Sequence, residues 1–417
     1  VYEYPPKIVG GLGTYAAEIT RKFVLLDHDV TIFTMNDDLG SLPTRELWRG
    51  IEIHRPVDID VSDSLPDVIA EDVKKWGRGP LSLFSRYLVY NYLAASKMVN
   101  ELVKSEGFKY DIVAAHDWLS VIGGTAIKRE LGLPFVFHVH STEKVRTLGN
   151  GSDVISNIEY RGGQMADLVI TVSNAMKDEL ISLGFPAEKI RVVPNGVDPE
   201  KYSPGQVGND RIGEVKQRYG LKDNDLMVLF LGRLVWVKGV DKLIGAMPQV
   251  LQKVPNAKLV IVGLGEMREY LEKLVQNLKL QDVVDFRFEF IPEEERIAHY
   301  AACDVAVFPS LYEPFGIVAL EAMSMEKPVV VGASGVSGMR EVVVPTGQEQ
   351  CGFHVNPNDP ADIAWGVVNA VQDSQRKVEL GRNGRKRVLQ EFSWDAVAKK
   401  TVQLYSELAE PRKAKKR

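Results

Sequence analysis

Cysteine is scarce in this chain, with Cys303 and Cys351 alone and in no metal-binding or redox spacing. That excludes a disulfide framework and leaves both as expected core residues of a reduced protein. No uninterrupted apolar run reaches the length that spans a bilayer as a helix. An excess of basic charge is missing too: 51 Lys and Arg face 56 Asp and Glu, for a formal net charge of −5, which gives no support for a nucleic-acid partner. Internal repeats and low-complexity tracts are absent. The opening residues carry no secretory signal, so the expected location is cytoplasmic. The basic ending PRKAKKR reads as a solvated tail, with nothing else to support peripheral membrane contact.

What the chain does have is alternation. Its 417 residues exceed one ordinary core and point to two domains. Short β-branched or aromatic runs alternate with longer helical stretches, the pattern of α/β domains with parallel sheets. The first series of expected strands is 29–34, 51–55, 111–115, 135–140, 168–172 and 190–193. A polar, Gly- and Pro-rich stretch from Asp198, DPEKYSPGQVGND, reads as a linker. The second series is 227–232, 258–262, 284–288, 304–308, 328–331 and 352–355. The expected division is therefore 1–197 and 198–392, with a helical segment 393–417 at the end. Open α/β sheets bind ligands beyond the carboxyl ends of their strands.

One of those strand ends carries the most information. In DVAVFPSLYEPFGIVALEAM, from Asp304 to Met323, an apolar run ends at Pro309-Ser310 and a helix is expected from near Gly316. The N–H groups of Phe315, Gly316, Ile317 and Val318 would then face an anion at the helix N-terminus. Glu313 lies just outside this seat and Glu321 within the helix. Two solvated acids on an amphipathic helix are the plain alternative. A phosphate cradle flanked by carboxylates instead suits a diphosphate with a hydroxyl-rich group at each end.

This stretch resembles the E-x7-E motif of retaining, nucleotide-sugar-dependent glycosyltransferases of the GT-B type, group 1 (GT4-like). That fold has two Rossmann-like, doubly wound parallel-sheet domains facing across a cleft. The resemblance implies that Glu313 contacts the transferred sugar and Glu321 the nucleotide ribose. It implies an N-terminal acceptor-side domain, a donor-binding C-terminal domain, and a final helix packed back on the first domain. Family members usually enter an EYPP-like segment from a short apolar strand. Here the chain opens at VYEYPP, so the first sheet is expected to lack most of its central strand.

Further motifs follow in the family's order. In LGRLVWVKGVD, Arg233 and Lys238 sit in one strand-to-helix loop ahead of Asp241. Two cations there can neutralise a diphosphate leaving group. They match the family's R-x4-K motif; the plain alternative has Lys238 solvated and Arg233 paired with a carboxylate. Gly10, Gly11 and Gly13 offer backbone N–H groups ahead of a helix expected near Thr14, and the resemblance places donor phosphates and sugar there. Gly11, Gly13, Ala16 and Asp37 also spell a dinucleotide-binding skeleton, but Pro5, Pro6 and Lys7 separate the glycines from any strand, against that reading. In FVFHVH, His138 reads as interior, and the resemblance puts His140 beside the transferred sugar. His116 and Asp117, in an HDW triplet of the glycogen-synthase-like branch, are further candidates, with Asp117 equally able to cap the next helix. Gly263 and Gly265 form a turn, and Phe290-Ile291 match the place where the family holds the base. Ser337-Gly338 departs from the family's Gly-Gly pair.

The expected activity is hexosyl transfer, with glucose favoured, from ADP- or UDP-glucose to an α-glucan or other hydroxyl acceptor. No metal and no tightly bound cofactor is expected, and the nucleoside-diphosphate sugar is a substrate. A mannosyl- or N-acetylhexosaminyl-transferase acting on a lipid or small acceptor is the alternative, and a non-catalytic nucleotide-sugar binder a remoter one. A glycosidase using Glu313 and Glu321 would need no cations or helix N-terminus. Loops 56–82 and 141–165 are expected to face the acceptor; base, acceptor and oligomeric state have no signature.

Overall fold

The computed structural model describes every residue except 9, 37–40, 65–72, 74 and 411–417. Asp37, part of loop 56–82 and the basic tail therefore lie outside the described residues. The chain divides into two compact units. One comprises Val1–Val172, Lys177–Val193 and the segment from Trp394; the other comprises Ser173–Met176 and Pro194–Ser393.

In the first unit, β1 (Val30–Phe33) pairs in parallel with β3 (Ile51–His54), and β2 (Arg45–Trp48) pairs with β3 in antiparallel sense. A separate parallel sheet holds β4 (Val113–His116), β5 (Phe135–Val139), β6 (Leu168–Thr171) and β7 (Ile190–Val192) in that order. Every residue of β5 and β6 is buried, as expected of a parallel sheet covered on both faces, hence the unbroken apolar runs. β2 was not expected: it exposes Leu47 and most of its neighbours, so no apolar alternation marks it. Its signal is the turn at Arg49 and Gly50, with φ of 53° and 80°, which joins two strands as a tight hairpin.

Between β1 and β4 the strands are not paired, and an open cavity of about 1090 Å³ lies along both, lined by Phe33, Tyr90, Tyr110 and Val113 among others. Val1 reaches its edge and donates its amino N–H to the Phe33 carbonyl at 3.0 Å. The helix Gly11–Leu25 packs with the helix Trp394–Ala409 through Tyr15, Ile19, Trp394 and Val397, over Val136 of β5. Lys22 and Asp395 clasp the same pair from outside.

The second unit holds a six-stranded, wholly parallel sheet: β8 (Leu226–Leu231), β9 (Ala257–Val262), β10 (Val284–Arg287), β11 (Val305–Phe308), β12 (Val329–Gly332) and β13 (Gly352–Val355). Their spatial order is β10-β9-β8-β11-β12-β13. The chain begins in the middle, builds outward to β10, and then returns to the other side of β8. The point of reversal, between β8 and β11, is where the connecting loops diverge and leave a crevice at the carboxyl edge. Behind it, Val228, Phe230, Leu243, Ile244, Leu259, Val305 and Ile363 form a core with almost no exposed surface. The two cysteines behave as core residues. Both are buried and free, and burial pushes the Cys303 thiol up to about 12.

Candidate active site

In the second unit the expected donor-site residues leave the carboxyl ends of four adjacent strands. Arg233 and Lys238 follow β8, Gly263 and Gly265 follow β9, Phe290 and Ile291 follow β10, and Glu313 to Glu321 follow β11. The sheet order therefore brings the cation loop and the Glu313 loop together at the reversal point. Backbone bonds lock them: Leu311 N–H donates to Val237 O at 2.8 Å. Gly239, in left-handed conformation at φ 66°, sits so close that a Cβ there would lie 2.2 Å from Pro309 O.

Lys238 forms an ion pair with Glu313 Oε2, and Ser310 Oγ donates to the same oxygen at 3.4 Å. The expected alternatives for the two cations are thus exchanged. Lys238 has the carboxylate partner, whereas Arg233 is exposed and has no ion-pair or hydrogen-bond partner among the described residues.

The helix after β11 runs Ile317–Ser324 with Gly316 as its N-cap at φ 92°. A Cβ on Gly316 would meet Met339 Cε at 2.5 Å, so the loop accepts no side chain there. The N–H groups of Phe315, Gly316, Ile317 and Val318 have no protein acceptor among the described residues. They are the open donors of a helix N-terminus, a geometry that suits an anion. The helix is buried from Ala319 through Ser324, which removes the reading of two solvated acids on an amphipathic surface. Glu313 and Glu321 are 8% and 4% exposed. Glu321 receives the Tyr202 hydroxyl at 3.0 Å on Oε1 and the Tyr300 hydroxyl at 2.9 Å on Oε2. Neither phenol was a sequence candidate.

The loop after β12 braces this arrangement. Glu313 N–H donates to Val336 O at 3.0 Å and Gly338 N–H to Glu313 O at 2.8 Å. Ser337, at the family's usual glycine position, is fully buried and donates its hydroxyl to Gly332 O at 2.7 Å. The departure from Gly-Gly is absorbed by one internal hydrogen bond. Phe290 is 61% exposed while Ile291 is buried.

In the first unit the glycine segment differs from expectation. The helix starts at Gly11, with Gly10 as N-cap, so Gly11 and Gly13 lie in its first turn instead of an open loop. Gly10 N–H donates to Glu3 Oε2 at 3.2 Å, and the same oxygen would lie 2.9 Å from a Cβ at Gly13. The chain's own carboxylate thus sits at this helix start, the position expected for donor phosphates.

His116, His138 and His140 stand together, their ligand-capable atoms all within 4.8 Å of one another. His116 Nδ1 lies 3.1 Å from His140 Nε2, and His138 Nε2 lies 2.6 Å from the Tyr405 hydroxyl. Burial holds all three well below the usual imidazole range, His140 to about 3, so they are neutral at ordinary pH. The His116 ring stacks near-parallel on the rings of His138 and His140, and the Tyr15 hydroxyl lies 3.5 Å from His138 Nδ1. Asp117 does not cap the following helix. Its carboxylate accepts the His140 N–H at 2.7 Å and so fixes the end of β5, while burial pushes its pKa up to about 6.

Two family models match the chain, Glycosyltransferase Family 4 over residues 9–201 and Glycosyl transferases group 1 over residues 212–387. An uncharacterized glycosyltransferase of Methanocaldococcus jannaschii is 35% identical over 97% of this chain and 96% of its own length. The chain belongs to the group 1, family 4 glycosyltransferases. A glycogen synthase of Mycobacterium tuberculosis is 27% identical over 97% of this chain and 92% of its own. The structure of sucrose-phosphate synthase from Thermosynechococcus elongatus superposes with a TM-score of 0.77 at 25% identity, covering 98% of this chain and 95% of that one. This glycosyltransferase has the GT-B fold and is glycogen-synthase-like. None of its described helices is long and apolar enough to cross a membrane.

Proposed function

We propose that this glycosyltransferase is a retaining enzyme that moves a hexose, glucose by preference, from ADP- or UDP-glucose to an α-glucan or another hydroxyl acceptor. The observation that carries this reading is the convergence after β8 and β11 of Lys238, an Arg233 without a partner among the described residues, and four N–H groups at one helix N-terminus without an acceptor among them. That set suits charge growing on a departing diphosphate, the main electrostatic demand of the reaction. The acceptor oxygen forms its bond to the anomeric carbon on the face the diphosphate leaves, and a donor phosphate oxygen takes the proton. Glu313, tied to Lys238, holds a sugar hydroxyl and is no free nucleophile. Glu321 holds the ribose. In the first unit, His140 has the role the family resemblance implies, with His116 and Asp117 as supports, and the segment Gly10–Gly13 takes its implied role only where the donor displaces Glu3 from the Gly10 N–H.

A small-acceptor reading is favoured by a D-inositol 3-phosphate glycosyltransferase of Corynebacterium efficiens, 30% identical over 89% of this chain. Incubation with ADP-, UDP- and GDP-sugars, each with maltooligosaccharide or D-inositol 3-phosphate as acceptor, tests both readings. The expected result is nucleotide release coupled to an α-linked product. A β-linked product excludes retention, and absence of turnover with every donor overturns the proposal.

A further inference from the structure

Glu321 is held by residues that the catalytic reading leaves unused. Besides the two phenols, Arg296 Nη2 lies 3.8 Å from its Oε1 and donates to the Tyr202 hydroxyl at 3.2 Å. The Tyr202 hydroxyl shares its single proton between Glu321 Oε1, the nearer acceptor, and Glu293 Oε1 at 3.2 Å. Tyr202 and Tyr300 are 3% and 0% exposed, and burial together with the Glu321 charge raises both phenols far above their ordinary range. They therefore remain donors at every working pH.

Tyr202 belongs to the stretch that the sequence marks as a linker, yet its position is firmly set. Its carbonyl accepts from Ser324 Oγ at 2.6 Å and Arg385 Nη1 at 3.1 Å. Arg385 Nη2 reaches Pro199 O at 3.3 Å and Ser203 Oγ at 3.2 Å. One guanidinium thus ties down the Pro199 and Tyr202 carbonyls and the Ser203 hydroxyl. Tyr300 comes from the helix Glu293–Ala302, and Glu321 from the helix after β11, so three elements meet at one carboxylate.

The hydrogen-bond count explains why this matters. An ionised carboxylate accepts through two oxygens with two lone pairs each. One phenol on each oxygen occupies one lone pair apiece, orients the group and leaves one acceptor on each. A pair of adjacent acceptors in a fixed plane matches two adjacent hydroxyls. We infer that Tyr202 and Tyr300 are positioning residues that orient Glu321 to accept both hydroxyls of a vicinal diol, and so make the enzyme select ribonucleotides with free 2′- and 3′-hydroxyls. The inference rests on the donor reading of Glu321 and adds the residues that set its selectivity.

Calorimetric titration of the full chain with ADP, UDP and GDP, and with the 2′,3′-dideoxy form of whichever binds most tightly, tests it. The wild type is expected to prefer the ribonucleotide. Tyr300→Phe and Tyr202→Phe should each reduce that preference roughly tenfold, the worth of a hydrogen bond to a charged group, while dideoxynucleotide affinity stays unchanged. An unchanged preference in both variants overturns the inference, as does equal weakening of both ligands, which marks a merely structural role. Should Tyr300→Phe fail to fold, Tyr202→Phe decides by the same ratio. A wild type that binds none of the three nucleotides overturns the donor reading, and this inference with it.

Discussion

Lys238 and Arg233 differ in the resting state although both serve the same proposed charge. Lys238 is neutralised by Glu313, whereas Arg233 stands exposed and has no partner among the described residues. A donor diphosphate must therefore compete with Glu313 for Lys238 but not for Arg233. Arg233→Ala should lower kcat by about a hundredfold, the typical cost of deleting one transition-state donor, with little effect on folding. Lys238→Ala should lower kcat similarly and also destabilise the protein, because Glu313 is left buried without its cation. Steady-state kinetics alongside thermal melts check both, and full activity in either variant contradicts the mechanism. Titration adds a second residue-scale prediction. His116, His138 and His140 are held below 6.5, His140 to about 3, so the unfolded chain binds more protons there and stability rises with pH up to about 6.5. Glu159 is buried beside the Glu143 and Asp117 carboxylates, with Arg146 opposing them, and is pushed up to about 8. Its folded form keeps a proton that the unfolded chain has lost, so its contribution declines as pH rises from about 4.5 to 8. Below 6.5 Asp117, raised to about 6, acts in the same sense as Glu159, and between about 5 and 8 the buried Val1 amino group, lowered to about 5, acts against it. The Glu159 contribution is therefore read as a difference between variants. Urea melts should show Glu159→Gln gaining stability relative to the wild type as pH rises from about 4.5 to 8, and a difference that does not change with pH would tell against the assignment.

At the scale of elements, the helix Ile317–Ser324 does two jobs with one geometry. Its buried face anchors it on the sheet, and its free N-terminal groups supply the proposed anion seat. Gly316 makes both compatible, since φ of 92° turns the chain while Met339 fills the space a side chain would need. Gly316→Ala should cost about 1–3 kcal/mol of stability from backbone strain alone. It should also raise the KM for the donor, because the Met339 contact displaces the seat. A variant with wild-type KM and stability would contradict this account. Elements were unequally legible in the sequence. The twelve expected strands lie within two residues of observed ones because most are apolar runs covered on both faces. β2 was missed because an exposed edge strand has little apolar pattern, and its only mark is the Arg49-Gly50 turn. The helix expected near Thr14 starts earlier, at Gly11, because Glu3 satisfies an N–H at its start. Nothing local to the glycines announces that carboxylate.

For the molecule as a whole, the proposed donor is also a stability ligand. A nucleoside diphosphate that binds the folded second unit and not the unfolded chain stabilises it by about 2.7 kcal/mol at one hundred times its Kd. Scanning calorimetry with ADP, UDP and GDP should show one nucleotide raising the melting transition most, and the same nucleotide should head the best donor sugar. A different ranking in melting and in turnover would separate binding from transfer. The sequence by itself determined the two α/β units, their strands and the order of motifs, because these depend on runs of neighbouring residues. It also placed Glu313 and Glu321 eight residues apart with a helix start between them. Only the tertiary structure decided what those groups touch. Tyr202 and Tyr300 reach Glu321 from 119 and 21 residues away, Lys238 reaches Glu313 across 75, and Asp117 turns from the helix it precedes to the His140 N–H. Propensity and pattern act along the chain, whereas the partner of a buried polar group is chosen by whichever element the sheet order brings beside it.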